Sequence, residues 1–329
     1  MRADFPLLLL SLSLPLLGGC TASSTPGREV SPPPLSESGD ATRPHPLVGK
    51  IWDTRAGRFV DAATLDEALA QARYVLLGEK HDNPEHHRLQ AERVRALTAS
   101  GRKPALAFEM IDAEQQSLLD ETRARASGDP DAIARAVDWE HSGWPDWTLY
   151  RPLFAWGLEH DLPLVGANLP RALVRQLVKQ GPEALPPETR ARLGLDAPVP
   201  EDVAREMREE MRESHCGQLP ESLLEPMAFA QRARDAQMAD RLLSTATGAG
   251  GILITGAGHA RTDRGVPASL VRREPGTRVA SLAFVEVSPE TPEPRSYALP
   301  YDYVWFTPAV EREDPCAPLR AAPEKAPGK

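Results

Sequence analysis

The sequence predicts an α/β domain on a largely parallel central sheet, with flanking helices and a helical insertion. Three observations predict it. Apolar, β-branched runs recur along the chain, and each is continuous rather than alternating, as a strand buried on both faces requires. Segments of helical periodicity separate these runs through short links, the rhythm of a parallel sheet with crossover helices. One stretch, residues 181–246, breaks the rhythm and holds helical patterns only.

Residues 50–60 suggest a short hairpin around Ala56-Gly57. Arg73-Tyr74-Val75-Leu76-Leu77-Gly78 is the first buried strand, and residues 103–110, 162–168 and 251–256 have the same character. Between them lie helical patterns over 64–72, 84–99, 113–122, 147–160 and 171–179. Thr64 with Glu67 three residues on fits a capping box, and Asn83-Pro84 fits an N-cap followed by Pro at N1. Within the insertion, helices are expected at 187–193, 203–212 and 223–245, sitting over the sheet as a cap. The runs 277–287 and 301–307 are expected to close the sheet, partly antiparallel.

The ends have another composition. Arg2 precedes an apolar stretch, Phe5 to Leu17, which is too short to span a bilayer stably and closes as Leu17-Gly18-Gly19-Cys20. That is the form of an export signal (residues 1–19) cut before a cysteine that receives diacylglycerol and an acyl chain such as palmitate. Acyl chains contribute about 0.8 kcal/mol per buried methylene, so Cys20 would anchor the chain durably. Thr21 rather than Asp after it favours an outer-membrane location facing the periplasm. Residues 20–46 and 311–329, rich in Pro, Ser and Gly, bury too little apolar surface to fold, which leaves 47–310 for the domain. A net charge of −9 without a long basic tract excludes a nucleic-acid binder.

Of three cysteines, Cys20 is assigned to the lipid. Cys216 and Cys316 are expected to pair in an oxidising compartment, the alternative being a free thiol at Cys216 near a ligand. No C-x-x-C supports a redox motif or structural zinc.

Parallel strands deliver their carboxyl ends to one edge, where ligands of open α/β sheets bind. The first strand ends in Glu79, His81, Asp82 and Asn83, the second in Glu109 and Asp112, the third in Asn168 with Arg171 beyond, and the fourth in His259, Arg261 and Asp263. Strand ends are polar in any case, but two Glu and two His at corresponding ends point to a shared site. His86 and His87 are about 100° apart on their helix, so at most one faces it. Gln231, Arg234, Asp235 and Met238 stand at i, i+3, i+4 and i+7, a single helix face that looks either onto the site or into solvent. His141, Trp144, Trp147, Tyr150, Phe154 and Trp156 form an aromatic cluster with two readings, core or a surface that stacks a flat ligand. Dinucleotide, P-loop, H-E-x-x-H and G-x-S-x-G signatures are all missing.

These residues together resemble a family. The run from Leu76 to His87, Phe108-Glu109-Met110, His215-Cys216-Gly217, Gln231 with Arg234, Asp235 and Met238, and Gly256 to Pro267 look like the ChaN-like haem-binding lipoproteins of the Tiki and erythromycin-esterase-like superfamily. The resemblance spans about Val48 to Thr307. It implies a lipid-anchored haem carrier for iron uptake, able to hold haem between two copies of itself. It also implies that Glu79, His81, Glu109 and His259 are the superfamily's catalytic positions. Candidate haem contacts are then His81, His215, Arg234, Asp235 and His259. The alternative is a hydrolase in which His81, Glu109 and His259 hold a divalent metal, or Glu79 acts as a general base. Haem, with its broad apolar ring and two propionates, suits an aromatic and basic face outside that acidic strand-end cleft.

Overall fold

The structure is a computed structural model and describes residues 45–317 apart from 126–127, 247, 298–299 and 315. The expected signal peptide, Cys20, most of the linker and the end of the tail lie outside the described residues.

Eight strands form one sheet: β1 (Ile51–Asp53), β2 (Arg58–Val60), β3 (Tyr74–Glu79), β4 (Ala105–Asp112), β5 (Leu164–Asn168), β6 (Gly251–Gly256), β7 (Val279–Glu286) and β8 (Tyr303–Thr307). Their order is β2-β1-β8-β7-β3-β6-β4-β5. All pairs from β8 to β5 are parallel, β7 with β8 included, and β8 joins the sheet's antiparallel part through its other edge, as expected of the closing strands. That part is β1, antiparallel to both β2 and β8. The turn at residues 54–57, with Gly57 in the left-handed region, is too short for any but an antiparallel hairpin.

The central strands separate their side chains by the period of two. Val75 and Leu77 of β3 face one layer with Phe108, Ile252, Ile254 and Phe284. Leu76 and Tyr74 face the other with Ala107, Val165 and Leu253. Each such fully buried leucine contributes about 1.5–3 kcal/mol. The first layer is covered by α1 (Ala62–Ala70), α2 (Pro84–Thr98), α3 (Gln116–Arg125), α4 (Pro130–Ala136), α5 (Trp139–Ser142) and α6 (Trp147–Glu159). The cap of α1 is Asp61, whose Oδ1 accepts from Thr64 N at 2.8 Å, rather than Thr64 itself.

Beyond β5 lie α7 (Arg171–Gln180), α8 (Pro187–Leu193), α9 (Glu201–Ser214) and the long α10 (Glu221–Thr245), then β6 and α11 (Val266–Arg273). The first half of α10 packs Ala230, Ala233 and Ala236 against Leu177, Leu185 and Leu193. Its second half packs Met238, Ala239 and Leu242 on the sheet with α11's Val266 and Leu270. One helix therefore both roofs the site and belongs to the sheet's layer. None of the described helices is long and apolar enough to cross a membrane.

After β3 the chain skips a place to β4, and β6 later fills the gap. The segment after β6 crosses β3 to reach β7. A crevice opens at the carboxyl ends where the order reverses in this way. At the same edge Arg312, in the tail, pairs with Asp82 and Glu286. Cys316 is joined by a disulfide to Cys216 in the α9–α10 turn.

Candidate functional site

The site begins with the cap of α2. Asn83 Oδ1 accepts from Glu85 N at 2.9 Å and His86 N at 3.3 Å, and Asn83 Nδ2 donates to Glu286 Oε1 at 2.7 Å. With the turn fixed, both histidines behind it are buried rather than on the surface. His86 Nδ1 accepts from Lys80 N at 2.9 Å and its Nε2 lies 2.8 Å from Thr307 Oγ1. Burial lowers the His86 pKa to about 4, so it is a neutral structural group. His87 Nε2 donates to the His81 carbonyl at 2.8 Å. His87 Nδ1 stands 2.8 Å from Glu79 Oε2, but without the angle of a hydrogen bond.

Glu79 is almost fully enclosed at the end of β3. Its Oε1 accepts from Tyr150 OH at 2.8 Å and pairs with His81 Nδ1 at 2.9 Å. Burial pushes this carboxyl up, but His81 and His87 outweigh burial and hold it below the ordinary value. Burial pushes the Tyr150 phenol far up, and the Glu79 charge adds to it. Burial disfavours charge on His81, yet the Glu79 bond and the Glu109 field raise its pKa overall. A Cβ on Gly256 would lie 2.9 Å from His81 Nε2, so glycine lets the imidazole sit on the β6 end. The edge of the His81 ring meets Trp144, centroids 5.0 Å apart.

Glu109 lies where the β4–β5 register shifts and β4 leaves β6, which turns its carboxylate toward β6. Oε2 accepts from Thr255 Oγ1 at 2.7 Å and Gly256 N at 2.8 Å. Oε1 meets an Arg234 guanidinium nitrogen at 2.5 Å and His259 Nε2 at 3.3 Å. Burial raises the Glu109 carboxyl, but His259 and Arg234 bring it well below the ordinary range. His259 Nδ1 is 2.6 Å from Asp235 Oδ1, and Gln231 Nε2 lies 3.1 Å from His259 Nε2. Burial lowers the His259 pKa; Glu109 and Asp235 more than offset this and raise it to about 9. His259 is thus a buried imidazolium.

The structure brings Glu79, His81, Glu109 and His259 together in a cleft of about 590 Å³. The Gln231–Arg234–Asp235 face of α10 looks onto it, the other ends of that face's bonds being Glu109, Asn168 and His259. His215 is not brought there; it is exposed at the end of α9, its Nδ1 on the Met211 carbonyl. Among the described residues no group of three or more His, Cys, Asp or Glu is arranged to hold a metal ion. Glu109 has its oxygens occupied by four donors and is no free base. The arrangement offers one proton-exchanging imidazole edge, His81, opposite two fixed cations, His259 and Arg234.

A second concavity, a groove of about 650 Å³, shares Arg234 with the cleft. Its walls are Trp139, Trp144, Val137, Leu169 and Val174, with Arg171 and Arg175 one turn apart on α7. Asp112 and Asp138 line the same groove; burial raises the Asp112 carboxyl to about 6, and the Arg171 charge works against that rise. Gly143 has φ +78°, and a Cβ there would lie 2.8 Å from an Arg171 guanidinium nitrogen. Only glycine allows both that backbone and that approach.

Sequence reasoning missed Thr255 and Arg175 and left Tyr150 in the aromatic cluster. The single hydroxyl in the run Gly251-Ile252-Leu253-Ile254-Thr255-Gly256 was the available signal for Thr255.

Residues 65–270 match the family model described as haem-binding uptake, Tiki superfamily, ChaN. Comparison with curated proteins gives no match. Among solved structures, ChaN of Campylobacter jejuni, recorded with cofacial haem binding, is similar at 21% identity and TM-score 0.62, over 78% of this chain and 95% of that one. The erythromycin esterase EreC in its open conformation gives 17% identity and TM-score 0.43, over 78% and 82%. A Bacillus cereus protein gives 13% and 0.41, over 68% of each chain.

Proposed function

The chain belongs to the haem-binding uptake family of the Tiki superfamily that includes ChaN, and on that premise we propose that it is a lipid-anchored haem-binding protein serving iron uptake at the cell envelope. One observation carries the ligand: two guanidiniums, Arg171 and Arg175, stand one turn apart on one helix face beside a groove that Trp144 and Val174 help to wall. A haem supplies an iron with axial positions to fill, inside a broad apolar ring bearing two carboxylates. Trp144 and Val174 would take the ring's apolar face, and Arg171 and Arg175 its propionates. The groove's volume falls within the roughly 300–1,000 Å³ of small-ligand sites. The cations of the strand-end cleft, Arg234 and His259, are already paired with Glu109 and Asp235, so the cleft offers such a dianion less. The solved Campylobacter relative holds haem cofacially; an open-mouthed groove on this chain supports the same association of two copies, promoted by haem.

Hemin added to the full chain should give a Soret shift together with a larger hydrodynamic radius. Arg171→Glu and Arg175→Glu should each weaken binding about tenfold or more, the worth of a charge-assisted hydrogen bond. A wild-type protein without a spectral change would sink the reading. His81→Ala and His259→Ala should leave binding largely intact, since they serve the cleft.

The anchor rests on the sequence around Cys20. Intact mass should show residues 1–19 lost and diacylglycerol plus one acyl chain gained, with Cys20→Ser releasing the protein from membranes. Retention of the Ser variant on membranes would contradict this. The Glu79–His81 pair supports a second reading, proton transfer to a ligand held in the cleft.

A further inference from the structure

The tail and the cap meet at one disulfide, and the strand-end cleft lies between the elements it joins. We propose that the Cys216–Cys316 bond is a redox-operated clasp on that cleft. Closed, it holds the tip of the cap to the β3–β7 edge; reduced by a dithiol, it frees the tip and widens the way to His81.

Arg312 fixes the tail to the sheet edge through two bidentate contacts. Its guanidinium meets Asp82 at 2.5 and 2.7 Å and both Glu286 oxygens at 2.8 Å. Glu286 also accepts from Lys80 Nζ at 3.0 Å, and both of these residues line the cleft. Cys316 follows four residues on, a reach of at most about 14 Å. It is bonded to Cys216 in the α9–α10 turn, the Cα atoms 5.5 Å apart. On that side α10 carries Gln231 and Arg234 over the cleft, and Glu210 of α9 lies 3.8 Å from where a Gly258 Cβ would be. The tail therefore ties the two banks of the cleft together.

Little else holds the tip. Met207 is the one buried side chain of α9. The helix is otherwise fixed by ion pairs with exposed carboxylates, Arg264 with Glu206 and Glu210, and Arg212 with Glu221. Such pairs add little in water. Pro226, in the second turn of α10, has no N–H and interrupts the helical ladder between the tip and Gln231. A segment of this kind opens locally, ahead of the sheet.

The place of the cysteine fits a clasp. Helix α9 is capped by His215, and Cys216 follows with φ 60°, the left-handed position that glycine ordinarily fills. Cys216 and Cys316 are only half-buried, beside exposed His215, Gly217 and Ala317, so a reductant can reach the bond. Exposed disulfides are the labile ones. One thiolate of the dithiol attacks a sulfur of the bond, forming a mixed disulfide and releasing the other cysteine as thiolate. The dithiol's second sulfur then displaces the remaining cysteine. Two electrons pass to the chain, which ends with two thiols, and the dithiol ends as a disulfide.

The experiment is hydrogen exchange by mass spectrometry on the full chain in detergent. Oxidised wild type, wild type treated with dithiothreitol, and Cys216→Ser/Cys316→Ser are compared at times short enough that β3, β4 and β6 stay unexchanged. Peptides of α9 and of α10 up to Gln231 should exchange about tenfold or more faster in the latter two. His81 is 35% exposed with the clasp closed. Its modification by diethyl pyrocarbonate, measured against exposed His141, should rise in the double variant. Arg312→Ala keeps the bond but frees its anchorage, and should move both readings part of the way. Resistance of the bond to dithiothreitol in the folded chain would overturn the clasp. So would a tip that exchanges no faster, or only together with the strands, because the bond would then serve the fold as a whole. A looser tip with His81 no more reactive would show that the bond does not gate the cleft.

Discussion

Glu109→Ala is expected to lower the stability of the domain by about 3–5 kcal/mol, the cost of removing one partner from a buried charge network. The carboxylate holds the Arg234 guanidinium, the His259 imidazolium, the Thr255 hydroxyl and the Gly256 N–H at once. Without it two cations share an enclosed space with Asp235 alone. Glu109→Gln keeps the shape and part of the hydrogen bonding but not the charge, so it should cost less and lower the pKa of His259. Denaturant melts of both variants test this, and a change below 1 kcal/mol for the alanine variant would contradict it. The same network sets a pH window. His259 is raised from an ordinary 6.5 to about 9, so its stabilising share is full below 6.5 and lost as pH rises through about 9. Glu109 is depressed, so its share is full above its ordinary value of 4.5 and lost as pH falls through the lowered one. Wild-type stability should fall on both sides, and the alkaline fall should be weaker in Glu109→Gln.

Opening the Cys216–Cys316 disulfide is expected to cost up to about 4–5 kcal/mol, the chain-entropy value for a loop near 100 residues. The figure is an upper bound because Arg312 also holds the tail, through Asp82 and Glu286. The Cys216→Ser/Cys316→Ser variant should melt lower than wild type, and reductant should lower the wild type but leave the variant unchanged. Superimposable melts would show that the tail contributes nothing to the fold.

The sequence made the centre of the molecule legible and its periphery less so, for physical reasons. The run around Leu76-Leu77 is apolar on both faces because β3 lies between β6 and β7, and such burial leaves a continuous signal. The convergence of Glu79, Glu109 and His259 followed from strand direction alone. The face of α10 was visible as a spacing, but its direction depended on how the helix rolls against Leu177 and Leu193, which is a tertiary matter. Helix α5 was hidden because it spans four residues and starts from a left-handed aspartate. The place of β8 was hidden too. A strand's partner at the sheet edge depends on where a long connection lands, and here residues 287–302 return the chain parallel to β7.

The disulfide has a topological meaning for the site. It closes a covalent ring from residue 216 to 316, which contains α10, β6, β7 and β8. Gln231, Arg234, Asp235 and His259 are inside that ring, whereas Glu79, His81, Glu109 and the whole His141 loop are outside it. The cationic half of the cleft is therefore carried on a cyclised segment and the dyad Glu79–His81 on an open one. A single backbone break within the ring would leave all the site's residues on one covalently continuous molecule; a break between 141 and 216 would divide them into two.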